Sequence, residues 1–197
     1  MNIIIIAGMP ASGKTTIANK LGKAFGYPIL EKDSIKEELF DVIGFDSYAE
    51  KRRHDVAATA VLLRCSEALL QGGVSFICVN NFRPESQPRL QSILDSTGCK
   101  CVTVFFGGDA DVFYRRYVER DDKHLRHLGH ILQEHYPPRE GDSLNYKMTR
   151  EEFAEKFEKL GMANFRVAGP RIEVDATRPE KIDVEKLVDD IRKALEN

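Results

Sequence analysis

Residues 8–15 read GMPASGKT. They fit the pattern G-x-x-x-x-G-K-[ST], and their neighbours decide what the match means. Before them, Ile3 to Ile6 form an unbroken β-branched run, the mark of a strand covered on both faces in a parallel sheet. After them, Ile17, Leu21 and Ala24/Phe25 recur at helical spacing, and Gly26 offers a stop. Strand, glycine-rich turn and helix form the context the pattern requires. Glycines let the backbone curl so that its N–H groups point inward. The helix adds unpaired N–H groups and the positive end of its dipole. Such a cradle holds an anion, and the competing reading is a glycine-rich turn that binds nothing. As a cradle for a nucleotide it comprises Gly8, Ala11, Ser12, Gly13, Lys14, Thr15 and Thr16. Lys14 would reach the β- and γ-phosphates of that nucleotide, and the Thr15 hydroxyl would sit on Mg²⁺.

Working outward, the chain alternates strand and helix. A short strand is expected at about Pro28 to Glu31, and a Ser34/Glu37 capping box starts a helix near Ile35. A long helical pattern runs from about Tyr48 to Gln71 and ends at Gly72-Gly73. Val74 to Val79 read as a buried strand, and Pro84 suits the first turn of a helix that closes at Gly98. Cys101 to Phe106 form a further strand, and Val112 to Arg120 a helix. Thr149 and Glu152 make a second capping box, Arg171 to Asp175 the last strand, and Val184 to Leu195 an amphipathic helix. This order predicts an α/β fold: a five-stranded parallel sheet with helices on both faces. At 197 residues it forms one domain, with a lid segment at about 112–148 whose irregular part runs from Asp121 to Lys147.

Composition narrows the function classes. Hydrophobic residues are 42% and charged residues 30%, as in a globular protein, and the net charge of −2 speaks against a protein that coats nucleic acid or a membrane surface. No aromatic-rich RNA-binding signature is present, so nucleic acid enters only as a substrate end. The N-terminal apolar run lacks a positive flank and is very short for a leader, and no later run approaches a membrane span. Cys65, Cys78, Cys99 and Cys101 form no C-x-x-C pair. Together these predict a cytoplasmic protein. The base-reading motif N/T-K-x-D and the transporter motif LSGGQ are both absent, which leaves a small phosphoryl-transfer kinase.

Asp33, in LEKDSIKEELF, falls at the carboxyl end of the second strand, where ligands of parallel sheets bind. It could take the proton of an incoming hydroxyl, or simply favour the adjacent helix N-terminus. The stretches GMPASGKTT, EKDSIKE, NNFRPE and YRRYVERDDKHLRHLGH resemble the small AAA-type P-loop kinases. That group includes polynucleotide 5′-hydroxyl kinases, chloramphenicol phosphotransferase and zeta-toxin-like kinases. The resemblance runs from Ile3 to about His130 and implies a nucleotide-kinase sheet, a lid, ATP and Mg²⁺. It implies that Asp33 contacts or deprotonates the acceptor hydroxyl. It implies that lid arginines, Arg116 and Arg120 on one helix face and then Arg126, cover the phosphates. A solvated helix face is the alternative for these arginines. The loop bearing Arg178 would pass beside the adenine base.

The same resemblance exposes a departure. The segment FICVNNFR (76–83) ends its strand with Val79 where the related kinases carry an acid that holds a water on Mg²⁺. Asn80 or Asn81 is expected to supply a neutral oxygen there, with Asp33 carrying more of the metal's charge. A protein that binds ATP as a switch, with little transfer, is the alternative this departure raises. His124, His127, His130 and His135 fall in the lid, and no carboxylate or cysteine pattern completes a zinc site. Glu50 to His54 (EKRRH) is either a solvated helix face or part of an acceptor groove.

Overall fold

The computed structural model describes residues 1–123, 125–142 and 148–196. Five strands form one parallel sheet: β1 (Asn2–Gly8), β2 (Ile29–Glu31), β3 (Phe76–Val79), β4 (Lys100–Gly107) and β5 (Arg171–Asp175), in the order β2-β3-β1-β4-β5. Ile3 to Ile6 sit in the central strand and none is exposed. Successive side chains of a strand point to opposite faces. Ile4 and Ile6 therefore pack under α1 (Lys14–Phe25) and α8 (Val184–Glu196), with Leu21 and Ile191. Ile3 and Ile5 pack under α3 (Tyr48–Gln71) and α4 (Gln87–Thr97), with Leu62 and Leu90. A core on both faces is why the strand pattern shows no alternation. Burial pushes the Cys78 and Cys101 thiols up to about 12, so both act as small apolar core groups.

The ends of β1, β2 and β3 open on one cleft. Gly8 leaves β1 at φ 132°, and a Cβ there would lie 2.2 Å from the Phe106 carbonyl oxygen on β4. The chain can turn into the loop at that point only without a side chain. α2 (Lys32–Ile43) corrects the expected start at Ile35. It begins three residues earlier, directly after β2, with Glu31 as its extended N-cap. Ser34 is therefore inside the helix, and Asp33 lies in its first turn, where a negative charge favours the dipole. The Thr149/Glu152 capping box does form, and starts α7 (Arg150–Lys159).

α5 (Ala110–Asp122) and the short α6 (Leu128–Ile131) fall in the segment expected to form a lid. The segment around α6 docks on α2 and α3. Phe40 is the hub: the rings of His54, His127 and His130 all lie 5.6 to 5.8 Å from it. Lys51 of α3 donates to the carbonyls of His130, at 2.9 Å, and Leu132. Phe45 and Tyr136 exchange backbone hydrogen bonds of 2.9 and 2.8 Å. His124 lies outside the described residues.

Candidate active site

The cleft above the sheet has a volume of about 410 Å³. Its floor is the loop of residues 8–15. Ala11 and Gly13 hold positive φ angles of 58° and 84°, which curls the loop inward. α1 begins after Gly13 with no side-chain cap, so its first N–H groups face the cleft without a partner from a cap. Lys14 is buried and folds back on the loop, its Nζ donating to the carbonyls of Gly8 at 3.1 Å and Met9 at 2.6 Å. Burial pushes this ammonium down to about 7, against the pull of Asp33. A phosphate arriving here would supply the counter-charge that burial has removed. The loop therefore fits the nucleotide that its sequence implies.

Thr15 Oγ1 donates to Glu31 Oε1 at 2.6 Å. Burial raises the Glu31 carboxyl above its ordinary value, and the Thr15 hydrogen bond opposes that rise. Glu31 pairs in register with Val79, so the carboxylate absent from β3 stands beside it on β2. Sequence reading passed over Glu31. Its signal was the spacing Glu-x-Asp at a strand end, which delivers two acids to one crevice. Asn80 and Asn81 line the cleft, and neither side chain forms a hydrogen bond among the described residues. Hydroxyl and carboxylate oxygens are the donors Mg²⁺ prefers, and in kinases the ion keeps waters and substrate phosphates as its other ligands. Thr15 and Glu31 fit that role.

Asp33 opens on the cleft with its side chain 45% exposed, 3.5 Å from Lys32. What burial it has works to raise its carboxyl. Lys32, Arg126 and Lys36 outweigh that and hold it well below the usual carboxylate range. The three lid arginines then part company. Arg116 lines the cleft, but its guanidinium donates to the carbonyls of Ala176 and Thr177 at 2.8 and 2.7 Å, gripping the loop after β5. Arg126 reaches Asp121 at 3.4 Å and lies over the Tyr117 ring. Arg120 also lies over Tyr117; its buried Nε is 3.9 Å from Asp121 Oδ1 and has no hydrogen-bond partner. A buried donor with no hydrogen bond beside a phosphate loop fits an anion in the cleft. Arg178 is exposed on the loop after β5 and is not brought into the cleft.

His130 is buried against Glu37, with Nε2 3.0 Å from Oε1, and burial lowers its imidazole to about 4. His127 Nδ1 accepts from the Gly129 N–H, which leaves Nε2 to donate to Asp41 at 2.9 Å. His135 lies 2.8 Å from Asp142. His127, His130 and His135 thus pin the segment around α6 to α2 and to itself.

A phosphate loop on the central strand, with two acids at the next crevice, fits the small P-loop kinases, and the fold is of that nucleotide-kinase type. Residues 3–138 match a family model described as an AAA domain, and the chain belongs to that family. A presumptive kinase from Chloroflexus aurantiacus is 28% identical, with a TM-score of 0.81 over 98% of both chains. A gluconokinase from Sinorhizobium meliloti has a TM-score of 0.55 over 99% of this chain and 90% of its own, and its 16% identity speaks for the fold alone. A shikimate kinase from Rhodopseudomonas palustris is 24% identical over 147 residues, 68% of this chain and 66% of that protein. A cytidylate kinase from Pyrobaculum islandicum is 39% identical over 56 residues, 26% of this chain. The chain spans 30% and 66% of the lengths of these two curated relatives. Among the described residues, no helix is long and apolar enough to cross a membrane.

Proposed function

We propose that this protein transfers the γ-phosphate of ATP to a hydroxyl group of a small molecule. The observation that carries this reading is the position of Asp33. It is a carboxylate open to the cleft, close enough to the phosphate-loop Lys14 to act on its charge. An acceptor hydroxyl donating to Asp33 lies between that carboxylate and the γ-phosphate. Its oxygen forms the new bond to phosphorus as the bond from phosphorus to the β–γ bridging oxygen breaks. ADP leaves with that electron pair, and the hydroxyl proton passes to Asp33. A carboxyl held as low as this one is a weak base. In a loose transition state the proton leaves late, so orienting the hydroxyl is the larger part of the role.

Lys14 and Arg120 place positive charge where the transferring group gathers negative charge. Thr15 and Glu31 would hold Mg²⁺, which when bound neutralises the β- and γ-oxygens. Arg126 screens Asp33, and Arg116 holds the β5 loop on the nucleotide side. The unpaired cysteines support a cytoplasmic location. Transfer of labelled γ-phosphate to one member of a panel of hydroxyl compounds tests the proposal. Tight Mg²⁺–ATP binding with no turnover on any acceptor, oligonucleotide ends included, would instead favour an ATP-binding switch. Val79 is the observation behind that second reading, and Glu31 beside it weighs against it.

A further inference from the structure

The β2 side of the cleft carries more positive charge than a nucleotide on the phosphate loop can use. One carboxylate, Asp55, is shared by three cations: Lys32 at 2.8 Å, Lys36 at 2.9 Å and Arg83 at 3.5 Å. Beside them, Arg52 of α3 and Lys156 of α7 line the same cleft and form no hydrogen bond or ion pair among the described residues. Partial desolvation in the cleft depresses the Lys156 ammonium, and Arg52, Arg83 and Lys36 depress it further, so these like charges lie within reach of one another. They come from four separate parts of the chain: α2, α3, the turn after β3 and α7. Like charges gathered in a cleft are unfavourable unless an anion completes them.

Topology places this wall away from the nucleotide. The phosphate loop follows β1, and Arg116 grips the loop after β5, on the far side. The cationic wall follows β2 and β3, next to Asp33. A ligand there is the acceptor. We infer that the acceptor carries a phosphate monoester in addition to the hydroxyl it presents to Asp33, and that Lys36, Arg52, Arg83 and Lys156 hold that group. This rests on the kinase reading of the same cleft. A carboxylate brings one charge and suits one planar arginine fork. A phosphate monoester brings close to two charges and three acceptor oxygens. That matches donors arriving from several directions with more than one charge to spare. The product would then carry two phosphoryl groups, and the reaction that supplies the acceptor must be one that makes a phosphate ester.

Two measurements test this. First, the protein is saturated with Mg²⁺ and the non-hydrolysable analogue AMP-PNP, which fills the phosphate loop, and inorganic phosphate is titrated calorimetrically. One further phosphate site is expected, weakened at least tenfold in the double variant Arg52→Ala/Lys156→Ala; both residues are exposed, so the variant should fold. No phosphate binding to the loaded protein, or equal binding in the variant, overturns the inference and leaves the kinase reading standing. Failure of AMP-PNP itself to bind overturns both. Second, γ-phosphate transfer is compared across pentoses and hexoses, their phosphate monoesters and the matching sugar acids. Turnover confined to phosphate esters supports the inference. Preference for the acids or the neutral sugars overturns it.

Discussion

Thr15 Oγ1 and Glu31 Oε1 are joined by a hydrogen bond of 2.6 Å, and Glu31 lies in register with Val79. The acid that Val79 displaces from β3 has a counterpart one strand away, on the hydroxyl that closes the phosphate loop. Glu31→Gln keeps an oxygen for Thr15 and removes the charge. The Mg²⁺ concentration for half-maximal ATP binding should rise about tenfold, equivalent to roughly 1.4 kcal/mol. Asn80→Ala and Asn81→Ala should move it far less. Calorimetric ATP titrations at stepped Mg²⁺ measure this, and a larger effect at either asparagine would return the metal to β3.

Asp33→Asn should lower kcat by about 10²- to 10⁴-fold, the usual worth of a positioned acid–base group. ATP affinity should stay close to wild type, because the carboxylate faces the acceptor. Full activity in this variant would remove Asp33 from the chemistry.

Arg120 and Arg116 sit one helical turn apart on α5 and should fail in different ways. Arg120→Met should cut kcat by about 10²- to 10³-fold with little loss of stability, since its Nε has no hydrogen bond to lose and its ion pair with Asp121 is long, at 3.9 Å. Arg116→Met strands the carbonyls of Ala176 and Thr177 and should cost about 1–3 kcal/mol in chemical denaturation. Equal kinetic losses with unchanged denaturation midpoints would show that Arg116 is no strut.

Acid should loosen the lid dock through His130. Its folded value near 4 lies below the ordinary value of about 6.5. The unfolded chain therefore takes up a proton first as pH falls through 6.5, and the folded chain resists until about 4. Stability is lost across that window, by up to about 3 kcal/mol. His130→Gln keeps a donor for Glu37 and removes the titration. Denaturation midpoints of the two proteins should converge between pH 7 and 5; parallel curves would refute the assignment.

Much of this was legible in the residues. The unbroken Ile3–Ile6 run announced a strand buried on both faces, and GMPASGKT announced the loop, because both depend on local sequence. Asp33 could be placed because a strand end and a helix start bracket it. The role of Glu31 could not, because it depends on which strand lies beside β3, and register is a tertiary fact. Arg116 and Arg120 share a face at i, i+4, and periodicity alone cannot tell a guanidinium held by carbonyls from one whose Nε has no hydrogen bond. The early start of α2 was missed for a related reason. Ser34 and Glu37 have the spacing of a cap, but β2 runs straight into the helix and needs none.

β2 is three residues long, lies at the edge of the sheet and has one neighbour, β3. Glu31 is its last residue, and Asp33 follows in the first turn of α2, so both acids hang from the end of this short edge strand. The phosphate loop hangs instead from β1, clamped between two partners. On the proposed mechanism the molecule divides its mechanical duties: the loop for the phosphates is anchored in the middle of the sheet, and the carboxylates for the metal and the acceptor at its margin. Substitutions under Ile29 and Leu30 would shift the Glu31 and Asp33 carboxylates together while leaving the backbone of the phosphate loop in place.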